Sequence, residues 1–218
     1  MTTKNDLVAR VRGSLTPEDC LSLYAEWAGT YDADVAATEN YVAPAIVAEI
    51  ALRLTHHSVE SGAPLLDAGC GTGLVGRALA QGGAMVIDGL DLSPAMLREA
   101  EKTGLYRHLT VGDLTEPIAK PDDQYAAVVC VGTFTLGHVG PSPALEEFVR
   151  ITRKNGFVIA TILDEIWKSG KYQAVIEDLE ARNQVEVIGT DAEDYRKGRD
   201  KARVVILKKK GGCAPQAN

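Results

Sequence analysis

From Leu65 to Gly76 the chain reads Leu-Leu-Asp-Ala-Gly-Cys-Gly-Thr-Gly-Leu-Val-Gly, an apolar pair that runs into glycines and out into a helix-like stretch. Glycines gathered this way suit a backbone that turns sharply and that a ligand must approach without meeting a Cβ. Three readings stand side by side. The stretch is a strand–helix turn with no ligand. Or it is a dinucleotide fingerprint, Gly71-x-Gly73-x-x-Gly76, whose glycines admit a pyrophosphate at a helix N-terminus. Or it holds a cationic nucleoside. Asp67 and Gly69 precede the dinucleotide pattern. A carboxylate there repels a pyrophosphate and welcomes a ligand carrying an ammonium and a sulfonium. The acid weighs toward the third reading.

Two more acids follow at regular spacing, in Gly89-Leu90-Asp91-Leu92-Ser93-Pro94-Ala95-Met96-Leu97 and in Gly112-Asp113-Leu114. Asp67, Asp91 and Asp113 stand 24 and 22 residues apart, about one strand–helix unit each. Singly, Asp91 or Asp113 reads as well as a helix N-cap or turn residue. Jointly they fall at the ends of successive strands, where open α/β sheets bind ligands.

The elements that must position these residues alternate. Thr16-Pro17-Glu18-Asp19 reads as a helix start, with Leu21, Leu23, Tyr24, Trp27 and Ala28 as its apolar stripe and Gly29 as its end. A second helix is expected from about Tyr41 to Leu54. Strands are expected at 84–90, 106–111, 126–131 and 157–163, with helices at 74–80, 93–100, 143–151 and 166–179. Val185 to Ile188 and Arg203 to Leu207 read as two last strands joined by a charged loop. The alternation means a parallel sheet covered on both faces, with an antiparallel hairpin at its end. One domain is expected: a helical N-terminal cap over residues 1–60, a core over 61–210 and a loose tail over 211–218.

Composition narrows the function. The net charge is −7, with no basic block beyond Lys208-Lys209-Lys210, which argues against a polynucleotide partner. The four cysteines lack CxxC or Cys/His spacing, so neither a disulfide framework nor a zinc site is expected and a reducing compartment is the default. The start of the chain has no apolar signal core, and no apolar run of about 18 residues occurs, so a cytoplasmic protein without a membrane span is expected.

With these residues in hand, the sequence resembles the class I S-adenosylmethionine-dependent methyltransferases. Asp67-x-Gly69-x-Gly71-x-Gly73 matches that family's first motif at every position, and the Asp91 and Gly112-Asp113-Leu114 stretches match its second and third. More narrowly it resembles the Williams–Beuren syndrome region methyltransferase-like subfamily, through Tyr24-Ala25-Glu26-Trp27-Ala28-Gly29-Thr30-Tyr31-Asp32 and Gly132-Thr133-Phe134-Thr135-Leu136-Gly137-His138-Val139-Gly140. Arg153-Lys154-Asn155-Gly156 departs from the usual Lys-Pro-Gly-Gly turn, away from the ligand.

The resemblance implies an α/β, Rossmann-like class I methyltransferase fold with a seven-stranded, mostly parallel sheet and an antiparallel C-terminal hairpin. It implies S-adenosyl-L-methionine as co-substrate, S-adenosyl-L-homocysteine as product and a small-molecule methyl acceptor. Gly69 and Gly71, with Gly73 completing the motif, would lie at the methionine moiety, with Asp67 attracting its ammonium. Asp91 would accept both ribose hydroxyls, Leu92 and Met96 would pack on the adenine, Asp113 would take its exocyclic amine and the Leu114 amide would donate to the ring. Trp27 and Tyr31 would close over the methionine end, although the helical spacing of Tyr24, Trp27 and Tyr31 more often means core.

Methyl transfer from a sulfonium is a one-step in-line displacement that needs positioning and a dry pocket rather than an enzyme nucleophile. Thr133 and His138 follow the fourth strand, where such folds present the acceptor, and are the candidate catalytic residues. His138 is a base, an orienting group or a loop histidine. No carboxylate follows that strand to hold magnesium, so no metal is expected. A nicotinamide-dependent oxidoreductase and a non-catalytic S-adenosylmethionine-binding regulator are the alternatives.

Overall fold

The computed structural model describes residues 17–34, 40–135 and 139–211. Thr16, His138 and the tail beyond residue 211 lie outside the described residues. The apolar runs become strands and the amphipathic stretches become the helices between them. Helices α1 (Pro17–Trp27) and α2 (Ala43–Glu60) precede β1 (Leu65–Ala68), α3 (Leu74–Gln81), β2 (Ile87–Asp91), α4 (Pro94–Lys102) and β3 (His108–Val111). Then come β4 (Tyr125–Phe134), α5 (Ala144–Ile151), β5 (Thr152–Leu163), α6 (Asp164–Trp167), α7 (Lys171–Ala181), β6 (Val185–Arg196) and β7 (Asp200–Lys209).

The seven strands lie in the order β3-β2-β1-β4-β5-β7-β6. β1 to β5 run parallel, and β7 runs antiparallel to both β5 and β6. The central strands are apolar on both faces because helices cover both. On one side α2 and α3 bring Val47, Val75 and Leu79 against Ile87 and Val129. On the other, α5 and α7 bring Phe148 and Ile176 against Val128 and Phe134. The chain reverses direction of travel between β3 and β4, next to β1, so the carboxyl ends of β1, β2 and β4 open on one crevice.

Several boundaries differ from the sequence-based expectation for identifiable reasons. β4 continues past Val131 to Phe134, through a register shift between Cys130 and Phe134. Phe134 turns inward against Phe148 and Tyr172, so part of the expected loop is strand. The helix expected over 166–179 is two, parted at Gly170 (φ +76), a left-handed residue that a helix interior excludes. The charged loop expected after Ile188 is paired strand as far as Arg196, and β7 starts at Asp200. Its charges alternate onto the solvent side, and burial on one face suffices for a strand. Tyr41 is not helical; it forms an isolated antiparallel bridge with Arg196.

Candidate functional site

The turn after β1 gives each glycine a separate task. Gly69 (φ +73) is left-handed, and a Cβ on it would stand 2.3 Å from Thr133 Oγ1. The turn therefore lies directly against the end of β4. Gly71 (φ +53) is also left-handed, yet a Cβ there would meet nothing within 4 Å. Its bare face opens into a cavity. Gly76 serves packing: a Cβ would stand 2.2 Å from the Tyr106 hydroxyl.

Asp91, at the end of β2, is held by two backbone amides. Gly71 N–H donates to its Oδ2 and Ser93 N–H to its Oδ1, each at 2.8 Å. Burial raises its pKa, and these two bonds pull the other way. Ser93, not Asp91, caps α4, accepting Met96 N–H on its hydroxyl. That leaves Asp91 free of the cap role the sequence allowed it. Asp113 does make a turn: its Oδ1 accepts Thr115 N–H at 2.8 Å and the Thr115 hydroxyl at 2.7 Å. The second oxygen of Asp113 takes no part in that turn.

One cavity gathers most of the sequence candidates. Gly69, Gly71, Asp91, Leu92, Met96, Asp113, Leu114, Tyr31 and Thr133 all line it. Asp67, Gly73 and Trp27 do not. Asp67 is fully buried beneath the glycine turn, where Tyr106 donates its hydroxyl to Oδ2 at 2.7 Å and Oδ1 has no partner. Burial pushes its pKa up to about 7 despite the Tyr106 bond. Asp67 thus lies behind the backbone rather than at the cavity surface, because β1 points its side chain into the core. Gly73 sits at the start of α3, with the Tyr106 ring 3.2 Å from the place of its Cβ.

The aromatic cap divides. Tyr24 and Tyr31 line the cavity with Leu21. Trp27 packs behind them, stacked on Tyr24 at 6.4 Å and edge-on to Tyr31 at 4.8 Å, and its Nε1–H donates to Asp34 Oδ2 at 2.9 Å. Trp27 is therefore core, and the two tyrosines are wall. Asp32 fixes this segment to the glycine turn: it accepts the Thr72 hydroxyl and pairs with Arg77 at 2.6 Å.

Beyond Thr133 the cavity is walled by Val131, Gly132, Thr135 and Val139. Among the described residues no group of three or more His, Cys, Asp or Glu is placed to hold a metal. Sequence reasoning missed Tyr106, Asp32, Tyr41 and Tyr195. The one available signal was a lone tyrosine inside the charged stretch from Asp191 to Arg199.

An open α/β sheet of this strand order, with a glycine turn after β1 and acids at the ends of β2 and β3, defines the class I methyltransferase architecture. Residues 65–156 match the methyltransferase-domain family. The chain is 37% identical over 157 residues to human methyltransferase-like protein 27, covering 70% of this chain and 62% of that protein. It is 32% identical over 164 residues to the malonyl-[acyl-carrier protein] O-methyltransferase of Serratia marcescens, covering 75% of this chain and 57% of that one. The chain thus spans 62% and 57% of the lengths of these two relatives. The matched family, these relatives and the fold agree on a class I S-adenosylmethionine-dependent methyltransferase domain.

Solved structures agree on the fold. A TehB-like methyltransferase from Corynebacterium glutamicum superposes with a TM-score of 0.62 at 24% identity, covering 87% of this chain and all of that one (100%). The [4+2]-cyclase SpnF superposes with a TM-score of 0.66 at 16% identity, covering 91% of this chain and 98% of that one.

Proposed function

We propose that the cavity binds S-adenosyl-L-methionine and that the protein transfers its methyl group to a small-molecule acceptor. The pairing of Gly71 with Asp91 carries this reading. Gly71 leaves a cradle that any Cβ would occupy, and Asp91 stands at its rim with both oxygens already aimed by amides. An ionised carboxylate offers about four lone-pair sites. The two not taken by amides suit the vicinal hydroxyls of a ribose.

The remaining groups complement the same ligand. Leu92 and Met96 offer apolar surface to a purine, and Asp113 with the Leu114 amide offers an acceptor and a donor to its edge. Asp67, under the turn, adds negative charge that favours a ligand bearing an ammonium and a sulfonium. A pyrophosphate gains nothing from that charge. The faces of Tyr24 and Tyr31 suit an onium group as aromatic faces do in general.

The ligand supplies an electrophilic methyl. The chain holds it and excludes water, and the open end near Thr133 admits an acceptor in line with the bond to sulfur. Thr133 is a candidate to orient that acceptor, and His138 stays the candidate base or orienting group. The Serratia relative is an O-methyltransferase, as is a ubiquinone biosynthesis relative from Alkalilimnicola ehrlichii, and both names favour an oxygen acceptor. No described helix is long and apolar enough to cross a membrane, and we read the protein as cytoplasmic.

A second reading has one observation behind it: the SpnF likeness attaches this fold to a cyclase, so the fold alone does not supply methyl transfer. Calorimetry with S-adenosylmethionine, S-adenosylhomocysteine, NAD and NADP tests binding, and labelled-methyl transfer to a metabolite panel tests turnover. Binding of the first two and transfer to at least one compound is expected. Binding of NAD or NADP alone would overturn the reading.

A further inference from the structure

Two phenols from distant parts of the chain meet behind the acceptor end of the cavity. Val42 N–H donates to the Tyr195 carbonyl at 3.2 Å, and Lys197 N–H donates to the Asn40 carbonyl at 3.0 Å. With the Tyr41–Arg196 bridge, these bonds stitch the segment before α2 onto the tip of the β6–β7 hairpin. The Tyr41 and Tyr195 rings then lie edge to face, centroids 4.9 Å apart. The hairpin tip is on the cavity side of the sheet, because β7 pairs with the carboxyl end of β5 through Ala202 and Leu163 just before that tip.

Both hydroxyls converge on Gly132, which lines the cavity. A Cβ there would stand 2.8 Å from the Tyr41 hydroxyl and 3.3 Å from that of Tyr195. Gly132 (φ +85) turns its amide away, donating it to Thr161 Oγ1 at 3.2 Å. Neither tyrosine lines the cavity itself, and Gly132 places only backbone, with no side chain, between the two phenols and it. Burial, with Tyr195 beside it, keeps Tyr41 neutral, so the pair offers hydroxyl donors and acceptors without charge. After burial, the Tyr195 phenol is the strongest influence raising the pKa of Tyr31, another tyrosine of the cavity wall.

The remaining walls of the cavity include the apolar Leu21, Val131 and Val139 and the ring of Tyr24. Among the described residues that line the cavity, Asp91 and Asp113 alone are charged, and both belong to the nucleoside end. Among the described lining residues none is cationic, so an ionised acceptor would find no counter-charge in these walls beyond the ligand's own sulfonium, which S-adenosylhomocysteine lacks. A second carboxylate would also meet the field of the first two.

On the reading of this cavity as a methyl-transfer site, we propose that Tyr41 and Tyr195 are positioning residues for the acceptor, and that the acceptor is a neutral hydroxylated aromatic compound. Its ring lies against Tyr24 and the valines, and its hydroxyl meets the phenol pair across Gly132. On transfer, the acceptor oxygen forms the new bond to the methyl carbon, the carbon–sulfur bond breaks with its electron pair left on sulfur, and the hydroxyl proton passes to solvent.

The test uses the full chain loaded with S-adenosylhomocysteine, with 4-methylphenol and 4-methylbenzoate as probes of matched shape, followed by ligand-observed NMR. The phenol is expected to bind at least about 10-fold tighter than the benzoate. Tyr41→Phe and Tyr195→Phe keep both rings, and each is expected to weaken phenol binding by about 3- to 10-fold, the scale of one neutral hydrogen bond. Each variant also breaks the buried hydrogen bond between the two phenols and is expected to lower the melting temperature, while S-adenosylhomocysteine affinity stays unchanged; phenol binding lost at constant S-adenosylhomocysteine affinity is what a merely structural role would not give. Equal or tighter benzoate binding, absence of phenol binding, or wild-type phenol affinity in both variants would each overturn the proposal. Failure of wild-type protein to bind S-adenosylhomocysteine would instead overturn the reading of the cavity on which it rests. The comparison of the two probes on wild-type protein decides the acceptor class even where a variant loses stability.

Discussion

Gly71 and Asp91, 20 residues apart, are joined by one hydrogen bond: the Gly71 amide donates to Asp91 Oδ2 at 2.8 Å. It ties the turn after β1 to the end of β2, so the carboxylate is aimed before any ligand arrives. Pre-aimed groups lose little freedom on binding, and that saving appears as affinity.

Asp91→Ala is therefore expected to weaken S-adenosylhomocysteine binding by about 1.5–3 kcal/mol, the scale of hydrogen bonds to a charged group. Asp91→Asn keeps one oxygen to accept an amide and is expected to lose less. Titration calorimetry of both variants, with melting temperatures alongside, checks this. Unchanged affinity in folded Asp91→Ala protein would remove the ribose assignment.

Of the three left-handed glycines of the turn, Gly69 and Gly71 predict opposite phenotypes. Gly69→Ala drives a methyl into Thr133 Oγ1 and is expected to lower the melting temperature by several degrees. Thr133→Ala in the same chain removes that oxygen and is expected to restore part of the loss. Gly71→Ala meets no protein atom, so it bears only the left-handed backbone cost of about 1–2 kcal/mol. It is nonetheless expected to abolish S-adenosylhomocysteine binding, because its methyl occupies the cradle. Thermal melts and calorimetry on the same samples separate the two effects.

What the sequence made legible was local. The turn, Asp91 and the strand alternation each need only a few neighbouring residues. The length of β6 was hidden because its outward charges imitate a loop, and the break at Gly170 because a helix-like pattern continues on both sides. Trp27 and Tyr31 share a helical spacing, and only the packing of α1 on the core sends one inward and the other to the cavity. The contacts of Tyr41, Tyr106 and Tyr195 could not be read, since their partners lie in other elements.

Asp32 holds the capping segment through Thr72 and Arg77. The Arg77 pair is partly exposed and by itself contributes about 0–1 kcal/mol. Thr72 is buried, so losing its acceptor costs more. Asp32→Ala is expected to speed amide exchange over residues 21–34 and to weaken S-adenosylhomocysteine binding several-fold, with exchange in the core strands unchanged. Hydrogen exchange in the presence of S-adenosylhomocysteine reads this directly. Wild-type exchange over residues 21–34 would show that the cap is held by the Trp27 cluster alone.

Asp67 links stability to pH. Its native pKa of about 7 lies above the unfolded value of 3.8, chiefly through burial. Between about pH 4 and 7 the native state therefore binds a proton that the unfolded chain lacks, and stability rises as pH falls through 7. The gain levels off near pH 4, where the unfolded chain protonates too. Each unit of such a shift is about 1.4 kcal/mol. Asp88, held down by Arg107 and Tyr125 against its own burial, and Glu147, held down by Arg150, act in the opposite sense and only below the usual carboxylate range. Asp67→Asn keeps an oxygen for the Tyr106 hydroxyl but cannot ionise. Unliganded Asp67→Asn protein is thus expected to melt higher than wild type at pH 8, with the gap closing toward pH 5. A positively charged ligand favours the ionised form, so S-adenosylmethionine is expected to expel a proton from wild type near pH 7, read as a dependence of binding heat on buffer ionisation enthalpy. The variant is expected to lack that dependence. A melting gap that stays constant from pH 5 to 8 would show that Asp67 does not titrate in this window.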